Sequence, residues 1–302
     1  MSAHFLQKCD KQTNYRMAEA TTDVSTFSTE IEAMLHALGD VWKPLPQTVS
    51  LVETILHKKL CTILQKASQV AEMRGSPAIG LEEFVFLLRN NKPKLVHFVQ
   101  HVKFKDLKSS LSRNLDAEDL ENDDSKQSKR YKVCLEFLQM IDNRGGYVTS
   151  SLADVDVIRI SRQERAEKQT RQMTSEQYVK FAQCRQVTFS NRLSKFCEWF
   201  DVILPILPRQ PNSSGWETLA YIAHETVGEI VDLSLLVQKD QRDNHKHVSG
   251  HSSLTLAPSE PAKTDASENL NVSLGEGKFQ NELALKPSHI KEALRRCPNF
   301  FK

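Results

Sequence analysis

Between Pro46 and Met73 the apolar positions Val49, Val52, Leu56, Leu60, Ile63, Ala67 and Val70 recur at steps of three and four. That spacing lays one apolar stripe along a helix. At 1.5 Å per residue the helix is roughly 40 Å long. Short neighbours cannot cover such a stripe, so the pattern demands a long partner. Pro46 suits the first turn, where a missing N–H leaves nothing unpaired.

A second run of the same kind lies in the other half of the chain. Leu219, Ile222, Thr226, Ile230, Leu233 and Val237 take these steps between Gly215 and Lys239, and Ser214-x-x-Glu217 reads as a capping box that opens the helix. Each long run has a short one on either side. Ahead of the first, Ile31, Met34, Leu35 and Leu38 share a face, with Thr29 and Glu32 as a capping box and Gly39 as the stop. Behind it come Leu81, Phe84, Val85 and Leu88, with Glu82 and Glu83 in the first turn, where the helix dipole favours them. Ahead of the second run stand Leu193, Phe196, Cys197 and Phe200. Behind it stand Ile290, Ala293, Leu294 and Cys297, started by Pro287 and ended by Arg295, Arg296 and Pro298.

Short, long, short thus occurs twice, and internal repetition outweighs any single motif. The pattern predicts an all-α chain: two histone folds in one chain forming an intramolecular histone-like pair, whose long helices cross and cover each other. The expected pairing core is Val52, Leu56, Leu60 and Ile63 against Ile222, Ile230 and Leu233. Tethering makes the pairing intramolecular, at an effective concentration on the order of millimolar.

The remaining stretches set the expected boundaries. Residues 1–23 form a polar tail, 24–110 the first fold with a basic helix from Lys92 to Lys108, 111–172 a linker with connecting helices, and 173–302 the second fold with a disordered insertion at 240–284. Leu95, Phe98, Val99 and Val102 give the basic helix an apolar side, which reads as packing on the fold in preference to contact with DNA phosphates. The acidic run Asp116 to Asp124 blocks core formation and marks the linker. Val133, Phe137, Leu138 and Ile141 predict a helix over Tyr131 to Ile141, residues 158–173 an exposed connecting helix, and Pro205 to Pro211 a loop.

Composition narrows the chemistry. A formal net charge of +2 over 302 residues is too small for electrostatic wrapping of nucleic acid. The six cysteines lack CxxC spacing and read as small buried hydrophobes in a reducing compartment. No apolar stretch approaches the ~18 residues of a membrane span, and the polar Met1 to Asp23 is no secretory signal. Lys126 to Lys132 is a candidate nuclear-import run. His245, His247 and His251 have no acidic or cysteine complement, so no metal is expected. With no phosphate-binding glycine loop and no nucleophile elbow, neither an enzyme, a cofactor nor a small-molecule substrate is expected. His224 reads as a surface or interface histidine, and Arg74 with Glu82 as a loop-to-helix ion pair. Glu225, Glu229 and Asp232 form an acidic stripe on the second long helix and are the candidate protein-binding residues for a basic partner.

FSTEIEAMLHALGD, LVETILHKKL and RGSPAIGLEEFVFLLRNNKPKL resemble the first half of the suppressor-of-Ty-three family, the double-histone-fold subunit of the SAGA coactivator. ERAEKQTRQM, SEQYVKFAQCRQVTFSNRLSKFCEWFD, LAYIAHETVGEIVDLSLLVQKDQ and PSHIKEALRR resemble its second half. The likeness covers residues 24–240 and 286–296, and departs from the family at the apolar, proline-rich Val202 to Pro211. It implies a non-enzymatic nuclear coactivator subunit that binds the TATA-binding protein and helps place it at RNA polymerase II promoters. The implied partners are the TATA-binding protein, other SAGA subunits and DNA indirectly through that protein; no membrane is implied. The alternative is a DNA-binding histone-fold regulator or a TFIID-type histone-fold subunit.

Overall fold

The computed structural model describes residues 27–115, 129–142, 156–249, 283–298 and 300. Among them the regular elements are helices: α1 (Ser28–Leu38), α2 (Pro46–Arg74), α3 (Leu81–Leu88), α4 (Lys92–Leu115), α5 (Lys129–Ile141), α6 (Val157–Thr170), α7 (Ser175–Arg185), α8 (Leu193–Glu198), α9 (Ser213–Ser249) and α10 (Pro287–Arg296). The tail at 1–23, the acidic run and the basic run as far as residue 128 lie outside the described residues, as do the side chains of the three insertion histidines.

The apolar stripes of α2 and α9 meet in one core. Val52, Leu56 and Leu60 are fully buried from α2, Ile222 and Ile230 join them from α9, and Ile63 and Leu233 pack at the edge. Phe27, Phe189, Phe196, Trp199 and Phe200 close one side of this core with tilted and edge-on ring contacts. A second cluster joins Leu81 and Val85 of α3, Leu95, Phe98, Val99 and Val102 of α4, and Cys134, Phe137 and Leu138 of α5. The basic helix therefore packs on the fold through its apolar side.

Two loop junctions hold the halves head to tail. The Ile79 N–H donates to the Gln210 carbonyl at 2.9 Å and the Asn212 N–H donates to the Ile79 carbonyl at 3.0 Å, forming a parallel bridge between Ile79 and Pro211. At the other end Leu285 donates its N–H to Asp40 Oδ1 at 2.9 Å, and Thr48 Oγ1 donates to the Leu285 carbonyl at 2.7 Å. At each end the loop before one long helix meets the segment after the other. Gly215 permits the first junction, because a Cβ there would stand 2.3 Å from the Ile79 carbonyl oxygen.

Several local expectations change. Thr29 lies inside the first turn of α1 and donates to Glu30 at 2.9 Å, so the Thr29–Glu32 box does not form; Glu53 of α2 takes the Phe27 N–H at 2.7 Å and the Ser28 hydroxyl at 3.0 Å. Asn212 caps α9 by accepting the Gly215 N–H at 2.8 Å, which leaves Glu217 free to pair elsewhere. That helix runs past Lys239 to Ser249, so the start of the expected disordered insertion is helical. Helix α7, absent from the sequence reading, is opened by a reciprocal Thr174–Gln177 box and buries Phe181 against His36.

Candidate interaction site

The polar side of α9 is where sequence expectation and structure part most. Glu217, Glu225, Glu229 and Asp232 all have cations of the same chain beside them. Glu217 pairs with Arg130 of α5 and with Lys105 of α4 at 3.0 Å. Glu229 receives Lys59 of α2 at 3.1 Å and Lys94 of α4 at 2.7 Å. Glu225 accepts from Arg162 of α6 at 2.8 Å, His97 of α4 lies at 3.2 Å and His224 at 3.5 Å. Asp232 accepts from Arg162 at 3.0 Å and Arg165 at 2.7 Å.

The stripe of Glu225, Glu229 and Asp232 is thus an internal seam and not an open acidic face; their side chains keep only 21%, 26% and 28% of their exposure. Helical spacing puts them on one side of α9, as the sequence indicated, but helices α4 and α6 lie over that side. His224 lies at the edge of this seam, facing Glu225.

Backbone choices make the seam possible. Gly228 sits mid-helix, where glycine costs about 1 kcal/mol relative to alanine, and a Cβ there would stand 2.4 Å from the Arg162 guanidinium. The glycine clears the space that lets Arg162 reach both Glu225 and Asp232. Arg165 continues across to α1, donating to the Leu38 carbonyl at 2.7 Å above Gly39, whose φ of 127° excludes most side chains. Asp156 caps α6 by accepting the Arg159 N–H at 2.9 Å while its other oxygen meets His97 at 2.6 Å.

Burial and charge set the protonation states. Burial disfavours the charged forms of Glu225 and Glu229, yet His224, His97 and Arg162 hold Glu225 well below the usual carboxylate range, and Lys59 with Lys94 lower Glu229. Burial drags Lys59 down to about 8 in spite of the Glu229 carboxylate. For His97, burial is outweighed by Glu225 and Asp156, and its pKa rises. His101, stacked 4.0 Å from the Tyr221 ring, is pushed down to about 4 by burial and by Lys105.

These groups hold α4 and α6 against α9. The histidine nearest a thiol, His57, lies 3.8 Å from Cys61, but burial pushes that thiol up to about 12, so it stays protonated and weakly nucleophilic. The cleft between Leu81, His101, Lys105, Glu217 and Tyr221 has a volume of about 20 Å³, room for a water. No group of three or more metal-ligating side chains occurs among the described residues, and no described helix is long and apolar enough to cross a membrane. Arg74 meets Glu82 at 3.2 Å as expected, and also the buried Glu83, whose other oxygen accepts the Gly80 N–H at 2.7 Å.

A core shared by two long helices, bridged loops and an internally neutralised seam define a helical protein of the histone-fold class. Residues 25–117 match the family described as Transcription initiation factor IID, 18kD subunit. The chain is 28% identical over 289 residues to the SAGA complex subunit Spt3 of Schizosaccharomyces pombe, covering 91% of each. It is 24% identical to SAGA complex subunit SPT3 of Saccharomyces cerevisiae over 90% of this chain and 91% of that one. With SAGA complex subunit Spt3 of Drosophila melanogaster it shares 29% identity over 89% of this chain and 66% of that one. Along both of its halves the chain is therefore similar to SAGA subunits named Spt3.

Proposed function

We propose that the chain is a non-enzymatic transcription coactivator subunit of a SAGA-type complex in the nucleus, and that it binds the TATA-binding protein and promotes its recruitment to RNA polymerase II promoters. The observation that carries membership is the extent of the likeness: relatives named as SAGA subunits align along both halves, whereas the TFIID-type match stops at residue 117. A single-fold TFIID subunit would account for one long helix and leave the other unexplained. Contact with the TATA-binding protein follows from the family resemblance.

Two histone folds paired within one chain explain the head-to-tail loop junctions and the shared core of α2 and α9, and would divide the chain into 24–110 and 173–302 around connecting helices. The seam residues Glu225, Glu229 and Asp232 act in this reading as the attachment of α4 and α6 to α9, which presents a fixed outer surface to the complex. Affinity purification of the tagged full chain from nuclear extract, followed by mass spectrometry, tests the reading. Recovery of coactivator subunits together with the TATA-binding protein is the expected result. Recovery of TFIID subunits alone, or of a chain that binds duplex DNA by itself with a salt slope of several charges, would overturn it.

A further inference from the structure

Past His101 the outer face of α4 leaves an apolar strip uncovered. Phe104, Leu107 and Leu111 follow one another at steps of three and four, and the first turn of α6 adds Val157 and Ile160; the five are between 43% and 69% exposed. The helices meet at this point, since the Arg159 guanidinium lies 4.8 Å from the Phe104 ring centroid. Apolar residues scattered singly over a surface need no explanation, but five gathered at one helix junction form a patch.

The rim of the patch along α4 is basic, and Glu164, one turn past Ile160 on α6, is the exposed carboxylate nearest to it in sequence. Lys103 and Lys108 flank the strip on α4 and Arg159 crosses it, all three exposed, and none has a carboxylate partner among the described residues. Between Lys92 and Leu111 the one carboxylate is Asp106, which is buried and accepts the Tyr131 N–H at 2.8 Å. Lys94 and Lys105 of the same helix are neutralised by Glu229 and Glu217. The uncompensated charge is concentrated where the apolar strip is.

We propose that the α4–α6 face docks an acidic amphipathic helix from another protein chain. Its apolar residues, spaced three and four apart, would lie on Phe104, Leu107, Leu111 and Val157, while its carboxylates meet Lys103, Lys108 and Arg159. The chain's own acidic run from Asp116 to Asp124 has Leu120 as its one large apolar residue and so lacks the spaced apolar face that this occupant needs. Nucleic acid would use the cations and leave the strip exposed to water. The inference goes beyond the proposed function: it concerns a surface distinct from the α9 seam and holds whichever complex the chain joins.

The test is fluorescence anisotropy on the full chain, with a labelled helical peptide carrying Leu and Phe at positions i, i+3, i+4 and i+7 among Asp and Glu. A peptide of the same composition with scrambled spacing is the control. Saturable binding of the first peptide is expected, weakened about tenfold by Leu107→Asp on α4, by Val157→Asp on α6 and by Lys108→Glu, a loss equal to about 1.4 kcal/mol each. All three positions are exposed, and unchanged thermal melts by circular dichroism will show the variants folded. Absence of saturable binding, equal binding of the scrambled peptide, or variants that bind like the parent would overturn the proposal. Tighter binding to phosphatidylserine vesicles or to duplex DNA, lost through the same substitutions, would overturn it as well.

Discussion

Leu60 lies where the two apolar stripes meet, with its side chain fully buried in the core shared by α2 and α9. Leu60→Ala removes three carbons from a site with little room to collapse, and such changes cost 2–5 kcal/mol. Taking about 3 kcal/mol, the melting temperature of a fold of this size falls by about 6–12 °C. The more informative readout is where the loss is felt. If the stripes form one cooperative core, hydrogen exchange measured by mass spectrometry shows amides in α2 and in α9 losing protection together, each by roughly a hundredfold. Leu60→Asp, which places an unpaired carboxylate at the same point, should abolish cooperative folding of both halves. Loss of protection in α2 peptides alone, with α9 peptides unchanged, would refute a shared core.

Lys59, 10% exposed, drops from 10.5 to about 8 in the folded chain. A lowered lysine pKa means that the native state resists the proton: its cost is fully present below pH 8 and disappears as the pH rises towards 10.5, amounting to about 3 kcal/mol. Lys59→Met should therefore remove the stability gained between pH 8 and 10.5, as urea titrations at the two ends will show, while at pH 7 the relief of burying the ammonium is set against the loss of one of the two cations beside Glu229. Glu225→Lys would set a third cation beside Arg162 and His97, so a loss of about 3–5 kcal/mol in thermal or urea unfolding is expected; a variant as stable as the parent would mean the seam is open to solvent. Gly215→Ala presses a methyl group onto the Ile79 carbonyl oxygen and should cost about 1–3 kcal/mol by the same assay, since backbone and not a flexible side chain must yield.

The long helices were legible because burial along one side of a helix writes itself into the sequence with a period near 3.6, and both stripes carry it over many turns. Helix α7 was not, because it buries only Phe181 and leaves Tyr178 and Val179 exposed, which dilutes the period. Thr174 and Gln177 were the available signal, a capping box at the correct spacing. The end of α9 was missed for the related reason that a helix with no buried residue from Lys239 to Asn244 looks like any polar stretch. The acidic stripe shows a different limit. Spacing on α9 places Glu225, Glu229 and Asp232 together, but the cations opposite come from α2, α4 and α6, and no local pattern connects them. Gly228 was the clue: a glycine inside a strong helical pattern marks a face onto which something packs closely, here the Arg162 guanidinium.

Burial of Lys59 costs stability at neutral pH, the Glu229 carboxylate offsets part of that cost, and the pair joins α2 directly to α9. A half-buried ion pair of this kind contributes to register, because any other alignment of the two helices strands a charge in a poorly hydrated place. Arg162 and Arg165 come from the segment that connects the halves and serve Glu225 and Asp232 whichever helix covers the apolar stripe of α9, whereas Lys59 belongs to α2, so a foreign partner without that lysine would leave Glu229 to Lys94 alone. Apolar stripes alone would pair with many partners of similar shape. The Lys59–Glu229 contact favours the α2 of the same chain over a partner that lacks the lysine, and tethering keeps that α2 within reach.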